Sequence, residues 1–196
     1  MRENLFGTIL ACAATSNLGA CGGEIIDVGE AQPGAARLSD AGDAAAPCTA
    51  AGVALDTIYT SQGVSPTAYS YGASPVSCGA FGAETLGWKE PDPGGLIGLY
   101  RQVSASPFQG QLTRIVVHLR GEDVAAAFVD VNMIDDQGSP VGFATTEGEL
   151  TIGGSFGWTT YALTFETPSN ASTLTVGLDL ARSGTLDVAQ VEVSVP

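Results

Sequence analysis

The sequence predicts an all-β protein, an antiparallel sandwich of about eight strands or more in one domain. Three observations predict it. From about residue 50 onward, short runs rich in Val, Ile, Thr, Tyr and Phe are separated by Gly, Pro, Ser, Asn or Asp at turn positions. No stretch carries a helical apolar period over three turns. The chain has 196 residues, 44% of them hydrophobic, which is enough to bury a single core. No internal repeat interrupts that pattern.

The N-terminal segment has the layout of a secretory signal. Arg2 is a minimal basic region, an apolar stretch runs from Leu5 to about Ala14, and small residues follow. Leu18, Gly19, Ala20 and Cys21 then resemble the lipobox of bacterial lipoproteins, a leucine and two small residues ahead of a cysteine. That resemblance implies a signal peptide over residues 1–20 and a lipidated Cys21 as the mature N-terminus. Two or three acyl chains at about 0.8 kcal/mol per buried methylene would make a stable membrane anchor where one chain would not. The implied address is the cell envelope, and Gly22 in place of an aspartate after the cysteine points to the outer membrane.

Residues 22–47 hold one apolar trio, Ile25, Ile26 and Val28, among Ala, Gly, Pro and acids with no helical or strand period. So few large apolar side chains cannot offset the entropy of ordering, so residues 21–47 read as a disordered acidic tether and 48–196 as the folded domain. With Cys12 in the signal and Cys21 lipidated, Cys48 and Cys78 remain as a pair. In an oxidising compartment they predict a disulfide, closing a loop of roughly 30 residues and worth about 3 kcal/mol on the chain-entropy account. Their spacing is no metal motif, and the single His118 cannot complete a Cys/His zinc set, so neither metal nor cofactor is expected. Twenty-one acidic residues against seven basic ones give a formal charge of −14. Such a surface repels phosphate backbones, which argues against nucleic acid as a partner. Beyond residue 20 no window approaches the roughly 18 apolar residues of a spanning helix.

The strands follow in order as "VALDTIYT", "TAYSYG", "LIGLYRQVSA", "QLTRIVVHLRG", "AAAFVDVNMID", "WTTYALTFET", "STLTVGLDLA" and "AQVEVSV". Alternation sorts their faces. Ile97, Leu99 and Val103 oppose Tyr100 and Gln102. Ile115, Val117 and Leu119 oppose Arg114, His118 and Arg120, and Ala127, Val129, Val131 and Met133 oppose Phe128, Asp130 and Asn132. "GGSFG" (Gly153 to Gly157) matches the letters of a nucleophile elbow, but a strand follows Ser155 where a helix is needed, so it reads as a turn. Asp136, Gln137 and Gly138 suit a hairpin turn, and "EPDPGG" (Glu90 to Gly95) is loop chemistry. No catalytic residue is expected.

The second half carries a further likeness. Gln102, Pro107, Phe108, Gly110, Gly154, Trp158, Tyr161, Pro168, Ala171, Gly177, Leu178, Leu180 and Gly184 stand where galactose-binding-like jelly rolls place a glutamine-bearing strand, a Pro-aromatic-x-Gly turn, Gly-x-x-x-Trp-x-x-Tyr, a Pro-x-x-Ala turn, Gly-Leu-x-Leu and a glycine before the closing strand. Such domains occur in carbohydrate-binding modules and in many bacterial envelope proteins. The likeness covers residues 95–196 well and 50–94 loosely. It departs at the close, where Asp187, Ala189 and Gln190 replace a Trp and paired acids. The resemblance implies a jelly-roll β-sandwich whose strands bring Tyr100, Gln102, Arg114, His118, Asp130 and Asn132 to one face as ligand contacts. Aromatic faces, forked donors and a carboxylate suit a sugar, which offers an apolar C–H face and a rim of hydroxyls. The expected function is a lipid-anchored envelope module binding carbohydrate or another small polar ligand. The alternative is an interaction lipoprotein whose outer face is solvated or docks an envelope protein.

Overall fold

The computed structural model describes residues 34–40, 55–73, 84–91 and 94–196. The expected signal, Cys21, Cys48 and Cys78 lie outside them. Ten strands follow in order: β1 (Gly34–Asp40), β2 (Thr57–Thr60), β3 (Tyr69–Ala73), β4 (Glu84–Trp88), β5 (Leu96–Ser104), β6 (Leu112–Ile134), β7 (Pro140–Thr145), β8 (Ile152–Glu166), β9 (Thr173–Ala181) and β10 (Thr185–Ser194). Every strand pairing among them is antiparallel. The protein is an all-β jelly-roll sandwich, as the sequence predicts.

One strand organises the two layers. The C-terminal part of β6, residues 126–134, pairs with β9, so that β2, β5, β9, β6 and β7 form one layer. The N-terminal part, from Leu112 to about Glu122, lies between β10 and β8, and that layer runs β3, β4, β10, β6, β8, β1. Two separate strands are expected from "QLTRIVVHLRG" and "AAAFVDVNMID"; the structure joins them. The intervening "ED" after Gly121 is a bulged bend, with shifts of register against β8 between Leu119 and Ala127. Asp123 adopts a positive φ of 50° there, and its N–H donates to Ser155 Oγ at 3.0 Å while Ser155 Oγ donates to Asp123 Oδ1 at 3.1 Å. The segment expected as the turn "GGSFG" is therefore part of β8, held against that bend, and its glycines accommodate irregular pairing instead of reversing the chain.

Because side chains alternate, the odd-numbered residues of both halves of β6 enter one core. Ile115, Val117 and Leu119 join Val129, Val131 and Met133, all at 2% exposure or less, together with Ile97 and Leu99 of β5 and Leu174, Val176, Leu178 and Leu180 of β9. Trp88 of β4 ties the layers by donating from Nε1 to the carbonyl of Leu180 in β9 at 3.2 Å. β1 lies within the stretch expected as tether, and pairs with β8 from Thr164 to Thr159. A strand needs no large apolar side chains when an existing edge supplies its hydrogen bonds. The β6–β7 connection is the expected hairpin turn, where Asp135 Oδ1 accepts from the N–H groups of Gln137 at 2.9 Å and Ser139 at 2.8 Å.

Candidate functional site

The outward face of the β2-β5-β9-β6-β7 layer forms an open cleft of about 590 Å³. Strand alternation builds it. Ile58 packs toward the core, which turns Tyr59 outward on β2; Val131 and Met133 point inward, which turns Asp130 and Asn132 outward on β6. On β9 the leucines and Val176 face in, leaving Thr175, Gly177 and Asp179 on the cleft side. Phe143 stands opposite Asn132 on β7 and shares its face. Tyr59 and Phe143 therefore rise from the two edge strands of this layer, 51% and 60% exposed, about 20 Å apart at the usual strand spacing.

Between these aromatic rims the floor is polar. Tyr100 donates its hydroxyl to Asp179 Oδ1 at 2.8 Å, and Tyr59 meets the Tyr100 ring edge to face with centroids 5.7 Å apart. Two glycines let the Tyr100 ring lie down on the sheet. A Cβ on Gly177 would collide with Cε1 of that ring, and one on Gly98 would stand 2.6 Å from Cε2. Asn132 Nδ2 is 3.4 Å from Asp130 Oδ2, whereas Asp130 Oδ1 and Thr175 Oγ1 are buried and receive no donor. Burial, and then the Asp179 charge, push Asp130 up to about 7. Burial also raises Asp179, partly offset by the bond it accepts from the Tyr100 hydroxyl and by the neighbouring Asp130 carboxyl. Tyr100 is raised by burial and by the adjacent Asp179 charge, so its hydroxyl stays protonated. Among the described residues no Lys, Arg or His lines the cleft, and the charged groups there are Asp130, Asp179 and Glu147.

Of the residues expected to share one face, the structure brings Tyr100, Asp130 and Asn132 together in this cleft. Gln102 lies on the same face of β5, opposite Thr175, but is exposed beyond the lining. Arg114 and His118 stand elsewhere. They belong to the part of β6 that pairs with β8 and β10, so the bend separates them from Tyr100. His118 is buried at 6% exposure with Nδ1 2.9 Å from Thr160 Oγ1, and burial lowers its pKa. Asp179, Tyr59, Phe143, Thr175 and Glu147 were not anticipated by sequence reasoning. Alternation in "TLTVGLDL" carried a signal for Asp179, since an acid flanked by leucines on an outward position is a costly placement without a partner.

No protein-family model matches the chain, and comparison with curated proteins gave no match. Its fold does have relatives. Over 71% of its length the chain is similar to the enzymatically active domain of tailspike protein 4 of bacteriophage CBA120, with 13% identity and a TM-score of 0.53, and it spans only 19% of that chain. It is similar over 85% of its length to the family 11 carbohydrate-binding module of the cellulosomal cellulase Lic26A-Cel5E of Clostridium thermocellum, covering 97% of that module, with 12% identity and a TM-score of 0.50. At such identity these likenesses show the fold alone, an antiparallel β-sandwich that the family 11 module shares.

Proposed function

We propose that this protein is a non-catalytic module that binds a neutral, extended glycan across the cleft, from Tyr59 to Phe143. The observation that carries this reading is the pair of exposed rings at opposite rims of a polar-floored cleft. Apolar rings left in water cost solvation free energy that a pyranose C–H face would recover, at about 25 cal/mol per Å² covered. The carboxyls, with no cation among the described lining residues, favour an uncharged chain over a uronic or sulfated one. Asn132 and Gln102 are the hydroxyl partners, and the fold likeness to carbohydrate-binding modules agrees with this use of the face. Binding without cleavage fits the burial of Asp130 and Asp179, 5% and 9% exposed, since a glycosidase holds its two carboxyls on either side of an accessible bond.

The test is calorimetric titration of the purified chain with xylohexaose, cellohexaose and a polygalacturonate oligomer. A neutral oligomer binds; Tyr59→Ala and Phe143→Ala each weaken it about tenfold, corresponding to some 50 Å² of lost apolar cover. Binding of none of the panel, or undiminished binding by both variants, would remove the reading. An envelope protein captured on the same face in place of sugar would favour the docking alternative.

We further propose that the module is tethered to the bacterial envelope through a lipidated Cys21, in the outer membrane, and that Cys48 and Cys78 form a disulfide. The support is the signal layout and the Leu18-Gly19-Ala20-Cys21 motif. Cys21→Ala should accumulate unprocessed precursor and release no acylated N-terminal peptide in mass spectrometry. Normal processing of that variant refutes the anchor.

A further inference from the structure

We infer that Asp130 and Asp179 share a single proton, carried by Asp130, and that this carboxyl pair positions Tyr100 in the cleft floor. The inference rests on the glycan reading only for its consequence in binding; the pair itself is argued from geometry. In the β6–β9 register Asp130 faces Gly177 and Phe128 faces Asp179, which makes the two aspartates diagonal neighbours on one face, about 7 Å apart along the backbone. Gly177 leaves the space between them empty of side chain, and the Tyr100 ring covers it.

Asp130 Oδ1 is sealed from solvent with no N–H or O–H donor in reach. Both carboxyls, 5% and 9% exposed, lie on one face against the same Tyr100 ring. Two carboxylates have only acceptors to offer each other, so neighbours this deeply buried are stable together only if one of them holds a proton. Asp179 already accepts the Tyr100 hydroxyl, which stabilises its charge, so the proton belongs on Asp130. Among the described residues, the titratable groups facing the pair are Tyr100 from β5, Tyr59 from β2 and Glu147 after β7, and none of these is a cation. A second negative charge would be buried and unpaired. Burial and the neighbouring charge accordingly keep Asp130 protonated up to about 7. Above that pH the pair loses its proton, the two carboxylates repel, and the Tyr100 hydroxyl loses its fixed acceptor geometry.

The experiment is a ¹³C NMR titration of the full chain from pH 4 to 9, reading the aspartate carboxyl carbons and the Tyr100 ring carbons. One carboxyl of the pair should titrate near neutrality, with the Tyr100 ring signals moving at the same midpoint. In Asp130→Asn, whose amide donates to Asp179 at every pH, that shared midpoint should vanish with the fold intact. Titration of both carboxyls below pH 5, or a Tyr100 signal indifferent to the pair, overturns the inference. Xylohexaose and cellohexaose titrations at pH 5.5 and 8.5 then separate it from the glycan reading. Affinity should fall by up to about thirtyfold at pH 8.5, the protonated fraction left for a midpoint near 7, and stay flat in Asp130→Asn. A shared NMR midpoint with no sugar bound at either pH upholds the pair and defeats the glycan reading. A wild-type affinity equal at both pH values denies the pair its role in binding.

Discussion

Gly177 decides how the cleft floor is made. It is buried on β9 between Tyr100 and Asp130, and a Cβ there would collide with the Tyr100 ring and stand 2.7 Å from Asp130 Oδ1. Neither neighbour has room to retreat, since the ring is pinned through its hydroxyl to Asp179 and Asp130 is itself sealed. Gly177→Ala should therefore destabilise the protein by about 2 kcal/mol, the usual cost of overpacking a fitted site. For a domain of this size that is a fall in Tm of about 4–8 °C, checked by calorimetry, and sugar affinity should fall with it because the ring must tilt. An unchanged Tm would mean that the ring lies elsewhere. The sequence places Tyr100 and Asp130 on a shared outward face, because period-two alternation is local. It does not reveal that Asp179 completes the floor, because the register between β6 and β9 is a long-range fact.

At the scale of strands, legibility followed side-chain chemistry. β5, β9 and the two halves of β6 were plain in the sequence, since each carries an unbroken alternation with branched or aromatic residues on the core side. β1, β4 and β7 were not. "GAARLSD" and "PVGFAT" are edge strands rich in small residues, one opening on Pro140, which an edge tolerates because its N–H side is free. "ETLGW" is short, and its Leu86 and Trp88 are buried by partners distant in sequence. The bend in β6 was hidden for a different reason. Gly121, Glu122 and Asp123 carry turn chemistry, and a bulge uses the same residues without reversing the chain. That ambiguity had a functional consequence: with one flat sheet, Arg114 and His118 would stand beside Tyr100, whereas the bend takes them to the layer of β8 and β10.

The whole molecule sets two buried titrations of opposite sign into its two layers. His118 is held below its ordinary 6.5, chiefly by burial and against the pull of Glu192. Its contribution to stability is complete above 6.5 and is lost as pH falls beneath that value, because the unfolded chain then binds a proton that the folded one resists. Asp130 runs the other way. Its folded value of about 7 lies above the ordinary 3.8, so the stability it contributes is complete below 3.8 and is lost as pH rises to 7. The span of about three units bounds the effect at about 4 kcal/mol, a property of the Asp130–Asp179 pair as a unit. Where these windows overlap the two slopes oppose each other, so the wild-type profile conceals both, and the charge of −14 adds a general repulsion as acids ionise. Differences between variants and wild type cancel that background. In thermal melts from pH 4.5 to 8, the Tm of Asp130→Asn relative to wild type should rise steadily toward pH 7 and then level. The Tm of His118→Gln relative to wild type should rise in the opposite direction, as pH falls below 6.5. A flat difference for Asp130→Asn would mean that the floor carboxyls titrate as ordinary surface acids, and a flat one for His118→Gln that its imidazole takes up its proton freely in the fold.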